Sequence, residues 1–381
     1  MTFVQTRLGE VADLLVGFAF KSAQFMQPDE PGINLVRGDN VQQGYLRWGD
    51  KAMKWAAEAF EDFARYQLQL NDIVLAMDRP IVGGGLKLAW IKEADLPCLL
   101  VQRVTRIRGL PMVADTNYLR YALSAPDFVA HIDRITTGAN IPHISGKDIA
   151  AFELQLPSMG HQLEIVEKLL SYDDLIENNR RRIALLEESV RLLYREWFIH
   201  LRFPGHVRCG SSLPNGWRVV ALGDVISLKY GKALKYSDRI AGDVPVYGSS
   251  GVVGSHDKPL VEGPSLVVGR KGNVGSVFFS HKDCFPIDTV FFIDGEQATY
   301  FNLMVLKSQA FVSSDTAVPG LNRTYAHSLP VVLPSKDVLQ GFENIASDFY
   351  GQAEILVQQN KILTEARDAL LPKLMSGEIA V

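Results

Sequence analysis

The chain has 381 residues, a length that allows roughly two to four folding units with cores of their own and excludes a small disulfide-bonded scaffold. Hydrophobic residues make up 47% of the chain and charged residues 22%; it contains no run of about 18 apolar residues and no basic, apolar leader, so we expect a soluble cytoplasmic protein that does not span a membrane. The net charge of −4 argues against a strongly basic protein that binds polyanions, but it permits local basic patches.

The block from residue 1 to residue 157 consists mostly of strands and turns. Residues 71–80 (NDIVLAMDRP) and 97–109 (PCLLVQRVTRIRG) are rich in aliphatic and β-branched side chains, which predicts two strands that contain or precede arginines. Residues 116–132 have the pattern of a short helical region. We therefore expect an α+β domain with a curved sheet.

Residues 158–203 are predicted to form one long helix. Its hydrophobic positions recur at alternating spacings of three and four, which is the pattern of a coiled-coil seam. About 40 helical residues at ~1.5 Å each span roughly 60 Å, more than the width of a small domain, so we expect the helix to bridge domains. Asn179 within the seam is expected to fix its register. The predicted seam contains Leu169, Tyr172, Ile176, Asn179, Ile183, Leu186, Val190, Leu193 and Trp197.

The rest of the chain repeats this order. Residues 204–334 alternate β-forming residues with glycine-rich turns, as in PVYGSSGVVG (245–254) and PSLVVGRKGNVGSVFFS (264–280), which predicts a second α+β domain. Residues 335–381 are predicted to form a second long helix, which we expect Pro372 to kink or end. Its predicted seam contains Phe349, Leu356, Leu363 and Leu370.

The two halves of the chain are related by direct similarity. IPHISGKDIAAFELQLPS (141–158) aligns without gaps on VPGLNRTYAHSLPVVLPS (318–335), an offset of 177 residues, and LGEV (8–11) corresponds to LGDV (222–225). An internal repeat of this kind indicates duplicated structural units. We expect an α+β protein with two globular α/β domains at opposite ends of two long antiparallel coiled-coil helices, related by approximate two-fold symmetry.

No catalytic motif is recognisable in the sequence. It lacks a GxxxxGK[ST] loop, an HExxH motif and a GxSxG motif, and its eight histidines are scattered. The three cysteines, Cys98, Cys209 and Cys284, form no CxxC pair, so we expect small buried side chains rather than disulfides or a zinc site. Together these observations favour a binding protein over an enzyme.

Candidate DNA-binding side chains lie mainly in the turns of the two blocks. Arginine supplies a planar fork that can bind guanine O6 and N7 or a phosphate, and glycine lets a backbone approach DNA closely. Gln102 and Arg103 are predicted to lie within a strand, and Gln can pair with adenine. The candidates are Arg79, Lys87, Gln102 and Arg103 in the first block and Ser249, Ser250, Arg270, Lys271, Asn273 and Arg323 in the second. The alternative is that each arginine is a surface charge, solvated or paired with Asp78, Asp95 or Asp283.

The order of these segments resembles a known family, the DNA specificity subunit of type I restriction-modification enzymes. The segments that carry the resemblance are TGANIPHISGKDIAAFELQLPS (137–158), DDLIENNRRRIALLEESVRLLYREWFIHLRFPG (173–205) and LLPKLMSGEI (370–379). The turn GRKGNVGSV (269–277), followed by Pro286-Ile287-Asp288-Thr289, is similar to that family's target-recognition domains.

The resemblance implies a division of labour among subunits. Residues 1–157 and 204–334 would be target-recognition domains, each for one half of a bipartite asymmetric site in double-stranded DNA, while the helices 158–203 and 335–381 would set the spacer and dock two modification (methyltransferase) subunits. S-adenosylmethionine, ATP and magnesium would be bound by the modification and restriction subunits, and this chain would bind no cofactor and catalyse nothing.

The sequence departs from an even duplication. The second block is shorter and lacks a counterpart of the stretch that contains Trp48 and Trp55, so we expect the two domains to recognise unrelated half-sites. No counterpart of Arg79 can be assigned from the sequence. Two other classes of function stay open: an enzyme such as a nuclease in the first block, and a coiled-coil scaffold that joins two protein-binding domains.

Overall fold

The computed structural model describes residues 3–137, 142–206, 212–312 and 320–379. The chain divides into two compact units, of which unit 1 comprises Met1–Glu177 with Asn360–Val381 and unit 2 comprises Asn178–Gln359. Each unit therefore combines one mixed α/β domain with part of each of two long helices.

The described part of unit 1 contains strands β1 to β11 and four short helices. The strands are Val4–Arg7 (β1), Ala12–Val16 (β2), Ile33–Val36 (β3), Lys54–Trp55 (β4), Ile73–Ala76 (β5), Ile81–Val82 (β6), Gly85–Leu86 (β7), Leu88–Trp90 (β8), Cys98–Leu100 (β9), Val104–Gly109 (β10) and Glu153–Leu156 (β11). The helices are Leu8–Val11 (α1), Thr116–Ser124 (α2), Pro126–Ile135 (α3) and Gly146–Ala150 (α4).

The central sheet of unit 1 has the strand order β2-β10-β5-β8 and is antiparallel throughout. Along β5, Ile73 and Leu75 belong to the core formed with α2 and α3, whereas Val74 and Ala76 belong to a second core on the opposite face. Because successive side chains of a strand point to opposite faces, burial on both faces explains the continuous apolar run in this part of the sequence. A second sheet has the order β4-β3-β9, with β3 and β9 parallel.

Unit 2 repeats the two sheets of unit 1 and its terminal strand pair, but it has no described counterpart of the short β6-β7 pair. The first long helix, Met159–Tyr194 (α5), ends in a π-helical turn, Arg195–Ile199, and is followed by the strands and short helices of the unit. These are Arg218–Ala221 (β12), Lys229–Tyr230 (β13), Val244–Gly248 (β14), Gly251–His256 (β15), Ser265–Gly269 (β16), Val277–Ser280 (β17), Phe285–Pro286 (β18), Val290–Asp294 (β19), Tyr300–Ser308 (α6), Arg323–Ser328 (α7) and Pro330–Leu333 (β20). The sheets have the orders β13-β19-β16-β17 and β15-β14-β18, and β12 pairs with β20 as β1 pairs with β11.

The repeated LGEV and LGDV segments have the same structural role in both units. A Cβ atom added to Gly9 would lie 2.9 Å from the Cβ of Ala150, and one added to Gly223 would lie 2.9 Å from the Cβ of His327. Both glycines are therefore required by the close approach of a short helix. This shared packing, together with the shared topology, confirms the internal repeat and the α+β fold. Ile141, Val318 and Pro319 of the longer repeated segment lie outside the described residues.

The second long helix, Lys336–Ser376 (α8), begins 177 residues after α5 and runs antiparallel to it within each unit. In unit 1, Asp173 pairs with Arg367, while the carbonyl of Ile176 accepts a hydrogen bond from Asn360 Nδ2 at 3.3 Å. In unit 2, the ring centroids of Trp197 and Phe342 are 6.2 Å apart. Six of the residues predicted for the seam are buried: Leu169, Ile176, Asn179, Val190, Trp197 and Leu356. The other seven are half-buried: Tyr172, Ile183, Leu186, Leu193, Phe349, Leu363 and Leu370.

Of the two effects predicted for Pro372, a kink or the end of the second helix, the second is wrong, because α8 continues to Ser376. Proline inside a helix removes one backbone hydrogen bond and costs about 3 kcal/mol. Leu371 and Leu374 flank it and are buried in the core of unit 1. Burying such side chains contributes about 1.5–3 kcal/mol each, which offsets the loss and holds the last turn in place.

The two cysteines that the structure describes are buried, as the sequence predicts. Cys98 and Cys284 are buried free thiols, and burial raises the pKa of both; Cys209 lies outside the described residues. Among the helices that the structure describes, none has an apolar stretch of the length needed to cross a bilayer.

A buried ion-pair network fastens both long helices to the sheet-covering helix α2 in unit 1. The carboxylate of Asp173 on α5 pairs with Arg120, accepts a hydrogen bond from Tyr121 Oη at 2.7 Å, and accepts another from Arg367 Nη1 of α8 at 2.6 Å. The Arg120 guanidinium also lies over the ring of Trp90, with its carbon 4.2 Å from the ring centroid. Because the Arg120 side chain is only 5% exposed, water compensates its positive charge poorly and the Asp173 carboxylate compensates it instead.

In unit 2 a different contact attaches a long helix to a helix that covers the sheet. Glu343 on α8 accepts hydrogen bonds from the backbone N–H groups of Tyr300 and Phe301, at 3.1 and 2.6 Å, at the start of α6. Burial raises the pKa of Glu343, and these hydrogen bonds oppose that rise. The carboxylate thus joins a long helix to a short helix that covers the sheet.

We expect Asp173→Ala to lower the free energy of unfolding by about 3 kcal/mol or more, because it leaves the buried Arg120 charge without its carboxylate. Asp174→Ala, which removes an exposed carboxylate from the next position of the same helix, is the matched control and should change stability by no more than about 0.5 kcal/mol. Thermal and urea unfolding of the two variants measure the difference. Equal melting midpoints would contradict a structural role for the network.

Candidate nucleic-acid interface

The six candidate residues of unit 2 are connected by direct contacts or shared neighbours. Asn273 Nδ2 donates a hydrogen bond to Ser250 Oγ at 3.1 Å, and Ser276 Oγ donates to the carbonyl of Ser249 at 2.6 Å. These bonds join the turn between β14 and β15 to the loop between β16 and β17. Sequence positions more than 20 residues apart are thereby brought into one surface.

The cationic residues of unit 2 lie beside this pair of loops. Arg270 follows β16 directly, and its guanidinium carbon is 5.1 Å from the ring centroid of Tyr230. Arg323, the first residue of α7, has its guanidinium carbon 4.9 Å from the same centroid. The backbone N–H of Lys271 donates to the carbonyl of Thr289 at 3.0 Å, which fixes the start of the loop. Sequence reasoning missed Tyr230, because a tyrosine in a strand is ordinary and only its 51% exposure marks it out.

The candidate cations of unit 1 gather around Asp78. Arg103 Nε lies 3.8 Å from Asp78 Oδ2, and Asp78 and Asp39 both act electrostatically on the half-buried Lys87. Burial lowers the pKa of the Lys87 ammonium, with a smaller contribution from Arg79, while the two carboxylates oppose the shift. Arg79 itself is exposed, and its backbone N–H donates to the carbonyl of Pro142 at 2.7 Å.

The prediction that Gln102 and Arg103 lie within a strand is wrong. They form the turn between β9 and β10, in which Arg103 has a φ of +68° and the N–H of Gln102 donates to the carbonyl of Phe18. The flanking strands are both buried, so their apolar residues form one run in the sequence although the chain reverses between them. Both side chains are exposed, as a recognition role requires.

The proposed pairing of the arginines with nearby carboxylates is observed for Arg103 and Asp78. Asp95 instead accepts a hydrogen bond from Trp48 Nε1 at 2.8 Å, and Asp283 accepts one from the backbone N–H of Gly263 at 3.0 Å. Two of the three carboxylates considered for these arginines therefore have structural partners of another kind.

The backbone identifies which strand-end positions of the two units correspond. The N–H of Ile144 donates to the carbonyl of Met77 at 3.0 Å, and the N–H of Leu321, 177 residues later, donates to the carbonyl of Arg270 at 2.8 Å. Both bonds link the end of a central strand to the segment before a short helix. Met77 and Arg270 are thus equivalent, a relation that sequence comparison could not supply.

Arg79 lies two residues after Met77, and Gly272 lies two residues after Arg270, so Arg79 corresponds to Gly272. Both residues have left-handed backbone conformations, with φ of +47° and +76°. A left-handed conformation costs a side-chain-bearing residue about 1–2 kcal/mol and costs glycine nothing comparable. An exposed arginine kept in this conformation is the kind of strained residue that occurs at functional sites.

Within the residues that the structure describes, no group of three or more His, Cys, Asp or Glu side chains could hold a metal ion. The candidate side chains at the two strand ends carry guanidinium, ammonium, amide and hydroxyl groups. Such groups bind phosphates and the edges of bases through hydrogen bonds.

Comparison with known proteins identifies the family. The family model described as the type I restriction modification DNA specificity domain matches residues 2–188 and 214–361. The chain belongs to this family. The two matched segments correspond to the two copies of the internal repeat, so the family predicted from the sequence is confirmed.

Named relatives are specificity subunits of type I restriction enzymes. The chain is 35% identical over 171 residues to the EcoAI specificity subunit of Escherichia coli, covering 45% of this chain and 28% of that protein. It is 30% identical over 184 residues to the MjaVIII specificity subunit of Methanocaldococcus jannaschii, covering 48% and 42%. Each of these alignments spans less than half of the relative's length. The MjaIX specificity subunit of the same organism is 23% identical over 300 residues, covering 70% of this chain and 69% of that one.

A solved structure has the same fold. The crystal structure of the S subunit of a type I restriction-modification system from M. genitalium matches with a TM-score of 0.56 and 17% identity, covering 98% of this chain and 96% of that chain. At this identity the match concerns the fold alone, and it agrees with the two-domain α+β fold predicted from the sequence.

Position 79 has an arginine where the equivalent position 272 has a glycine, so substitutions at the two positions are predicted to change stability in opposite directions. We expect Arg79→Gly to leave the melting midpoint unchanged or raise stability by up to about 1 kcal/mol, because glycine relieves the left-handed strain. Gly272→Ala should destabilise by about 1 kcal/mol, because alanine acquires that strain and its Cβ would lie 3.1 Å from Ser249 Oγ. Thermal unfolding checks both, and a clear loss of stability in Arg79→Gly would show that this arginine is a structural residue.

Proposed function

We propose that this chain is the DNA specificity subunit of a type I restriction-modification complex and that each domain recognises one half of a bipartite asymmetric DNA site. The observation that carries the proposal is the duplicated strand end. The same backbone hydrogen bond fixes Met77 in one domain and Arg270 in the other, and two residues later Arg79 and Gly272 both have left-handed backbones. Equivalent backbones with different side chains are what two domains need in order to recognise different half-sites.

The chemistry of the exposed residues supports contacts with double-stranded DNA. Arginine binds guanine O6 and N7 with two parallel hydrogen bonds, and lysine and arginine bind phosphates. Arg79 and Lys87 are the candidates in the first domain. Because phosphate neutralisation dominates non-specific affinity and the net charge of this chain is −4, we expect tight DNA binding to require the modification subunits as well.

The helical pair is proposed to set the spacer and to dock two modification subunits. Leu185 on α5 and Ile362 on α8 stand at equivalent positions of the repeat and are 66% and 65% exposed. Large apolar side chains exposed on otherwise amphipathic helices are typical of contact sites for protein partners. Two equivalent apolar positions support two equivalent docking sites.

The remaining activities are assigned to the partners. We propose that the modification subunits bind S-adenosylmethionine and methylate a flipped adenine, that restriction subunits use ATP and magnesium for translocation and cleavage, and that the complex acts in the cytoplasm. This chain would contribute recognition and spacing, with no catalytic step and no cofactor of its own.

Mapping methylated adenines across the genome, with and without the chain, tests the proposal. We expect Arg79→Ala to relax the sequence preference of methylation at the first half-site only. The discrimination between bases at the contacted position should fall by about 1–3 kcal/mol. Arg7→Ala removes the same charge from β1 of the same domain, where the side chain is 64% exposed, and is the control. Metal-dependent cleavage by the isolated chain would favour the nuclease alternative, and the absence of any dependent methylation would favour the scaffold.

Docking is tested at the two exposed apolar positions. We expect Leu185→Glu and Ile362→Glu each to weaken binding of one modification subunit at least tenfold, and the double variant to lose both, because a carboxylate would be buried against an apolar surface. Gln352→Glu adds the same charge to an exposed polar position of α8 and should retain both subunits. Native mass spectrometry counts the bound subunits; two subunits on the double variant would refute these docking sites.

A further inference from the structure

One tyrosine of unit 2 is contacted by two arginines. The guanidinium carbons of Arg270 and Arg323 lie 5.1 and 4.9 Å from the ring centroid of Tyr230, within the range of cation–π attraction. Tyr230 is 51% exposed, so the group lies at the surface of the domain. The three residues come from β13, from the end of β16 and from α7, and only the fold brings them together. We call this group the Tyr230 cluster.

Both guanidiniums are held without a carboxylate. Arg270 Nη2 donates to the carbonyl of Asp288 at 3.1 Å, and its guanidinium carbon also lies 5.8 Å from the ring centroid of Phe291. Arg323 begins α7, whose cap is the hydrogen bond from the Tyr325 N–H to Asn322 Oδ1 at 3.0 Å. Across residues 3–137, 142–206, 212–312 and 320–379, neither guanidinium forms an ion pair. Two cations placed against one exposed ring without a counter-charge favour an electron-rich ligand.

Unit 1 has different chemistry at the position of the tyrosine. Gly17 and Gly231 are equivalent, because their N–H groups donate to the carbonyls of Val104 and Val290 at 3.0 and 3.2 Å, in the paired strands β10 and β19. The residue before each glycine is therefore equivalent as well. That residue is Val16 in unit 1 and Tyr230 in unit 2.

Unit 1 also lacks a cationic residue at the positions equivalent to Arg270 and Arg323. Met77 occupies the place of Arg270, and Gly146, which follows the helix cap Ser145, occupies the place of Arg323. The spatial relation is preserved, since a Cβ on Gly146 would lie 3.5 Å from Val16 Cγ2. Unit 1 thus has an apolar or small residue at each position where unit 2 has an aromatic or cationic one.

We propose that the Tyr230 cluster determines the specificity of the second domain and that Arg270 binds a guanine of the second half-site through its O6 and N7. This inference rests on the proposed function and assigns residues within it. Tyr230 is a positioning residue: its ring fixes two long side chains before DNA arrives, so less conformational freedom is lost on binding. The replacement of all three residues in unit 1 explains how two domains of one fold recognise different sequences.

The test uses the full chain assembled with its co-purifying methyltransferase partner and a library of randomised duplexes, with sequencing of the methylated products. Tyr230→Val, Arg270→Met and Arg323→Gly introduce the residues that the same backbone positions accept in unit 1. We expect Arg270→Met to lower the preference for guanine at one position of the second half-site by roughly 5- to 150-fold. The first half-site should be unchanged.

Conservative and folding controls separate positioning from general damage. Tyr230→Phe keeps the ring and should retain the wild-type preference within about twofold, whereas Tyr230→Val should lower it in the same direction as Arg270→Met. Melting midpoints close to wild type show that the variants fold. Equal losses in Tyr230→Phe and Tyr230→Val, or a loss spread over both half-sites, would overturn the assignment.

The outcome also distinguishes this inference from the proposed function. A wild-type complex that methylates without any sequence preference would refute the function itself. A wild-type preference for the second half-site that survives all three substitutions would refute only the role of the Tyr230 cluster.

Discussion

Each α/β domain depends on both long helices to complete its hydrophobic core. In unit 1, Leu169 of α5 and Leu374 of α8 belong to the same core as the central sheet, and in unit 2, Val190 and Phe342 do so. Burial of each such side chain contributes about 1.5–3 kcal/mol, so moving a helix away would open the domain that it covers. The helices are therefore structural parts of the domains as well as connections between them. This constraint fixes the candidate strand ends within each unit relative to the helices of that unit.

The duplication conserves backbone contacts and varies side chains. Gly9 and Gly223 are both required by the approach of a short helix, and Met77 and Arg270 accept the same hydrogen bond from the segment before that helix. The hydrogen bonds to Met77 and Arg270 involve backbone atoms only, and the glycine contacts need only the absence of a side chain at Gly9 and Gly223. The positions of the strand ends therefore do not depend on which side chain Met77 or Arg270 carries. The side chain that projects from such a position is free to differ. A fold of this kind can acquire a new binding preference without losing the contacts that stabilise it.

Periodicity and repetition in the sequence predicted the features that depend on local order. The seam positions, for example Leu169 and Val190, follow from helical spacing, and the duplicated domains follow from the repeated segments. Features that depend on tertiary contacts were out of reach. The left-handed turn at Arg103, the burial that carries α8 past Pro372 and the stacking of Tyr230 each require knowledge of what lies opposite in space. The candidate arginines could be named from their residue type and neighbours, but their equivalence across the repeat became visible only through hydrogen bonds.

The charge balance of the chain makes fixed side chains more important than the number of cations. With a net charge of −4, long-range attraction to phosphates is weak, so the proposed discrimination between sequences would have to come from a few well-oriented groups. The two domains orient an arginine by different means. In unit 1 a left-handed backbone directs Arg79 outward, at a cost in conformational strain, while in unit 2 the Tyr230 ring and the Asp288 carbonyl hold Arg270. The contacts in unit 2 restrict the Arg270 side chain before a ligand binds, which lowers the entropy lost on binding and makes an incorrectly placed acceptor harder to accommodate.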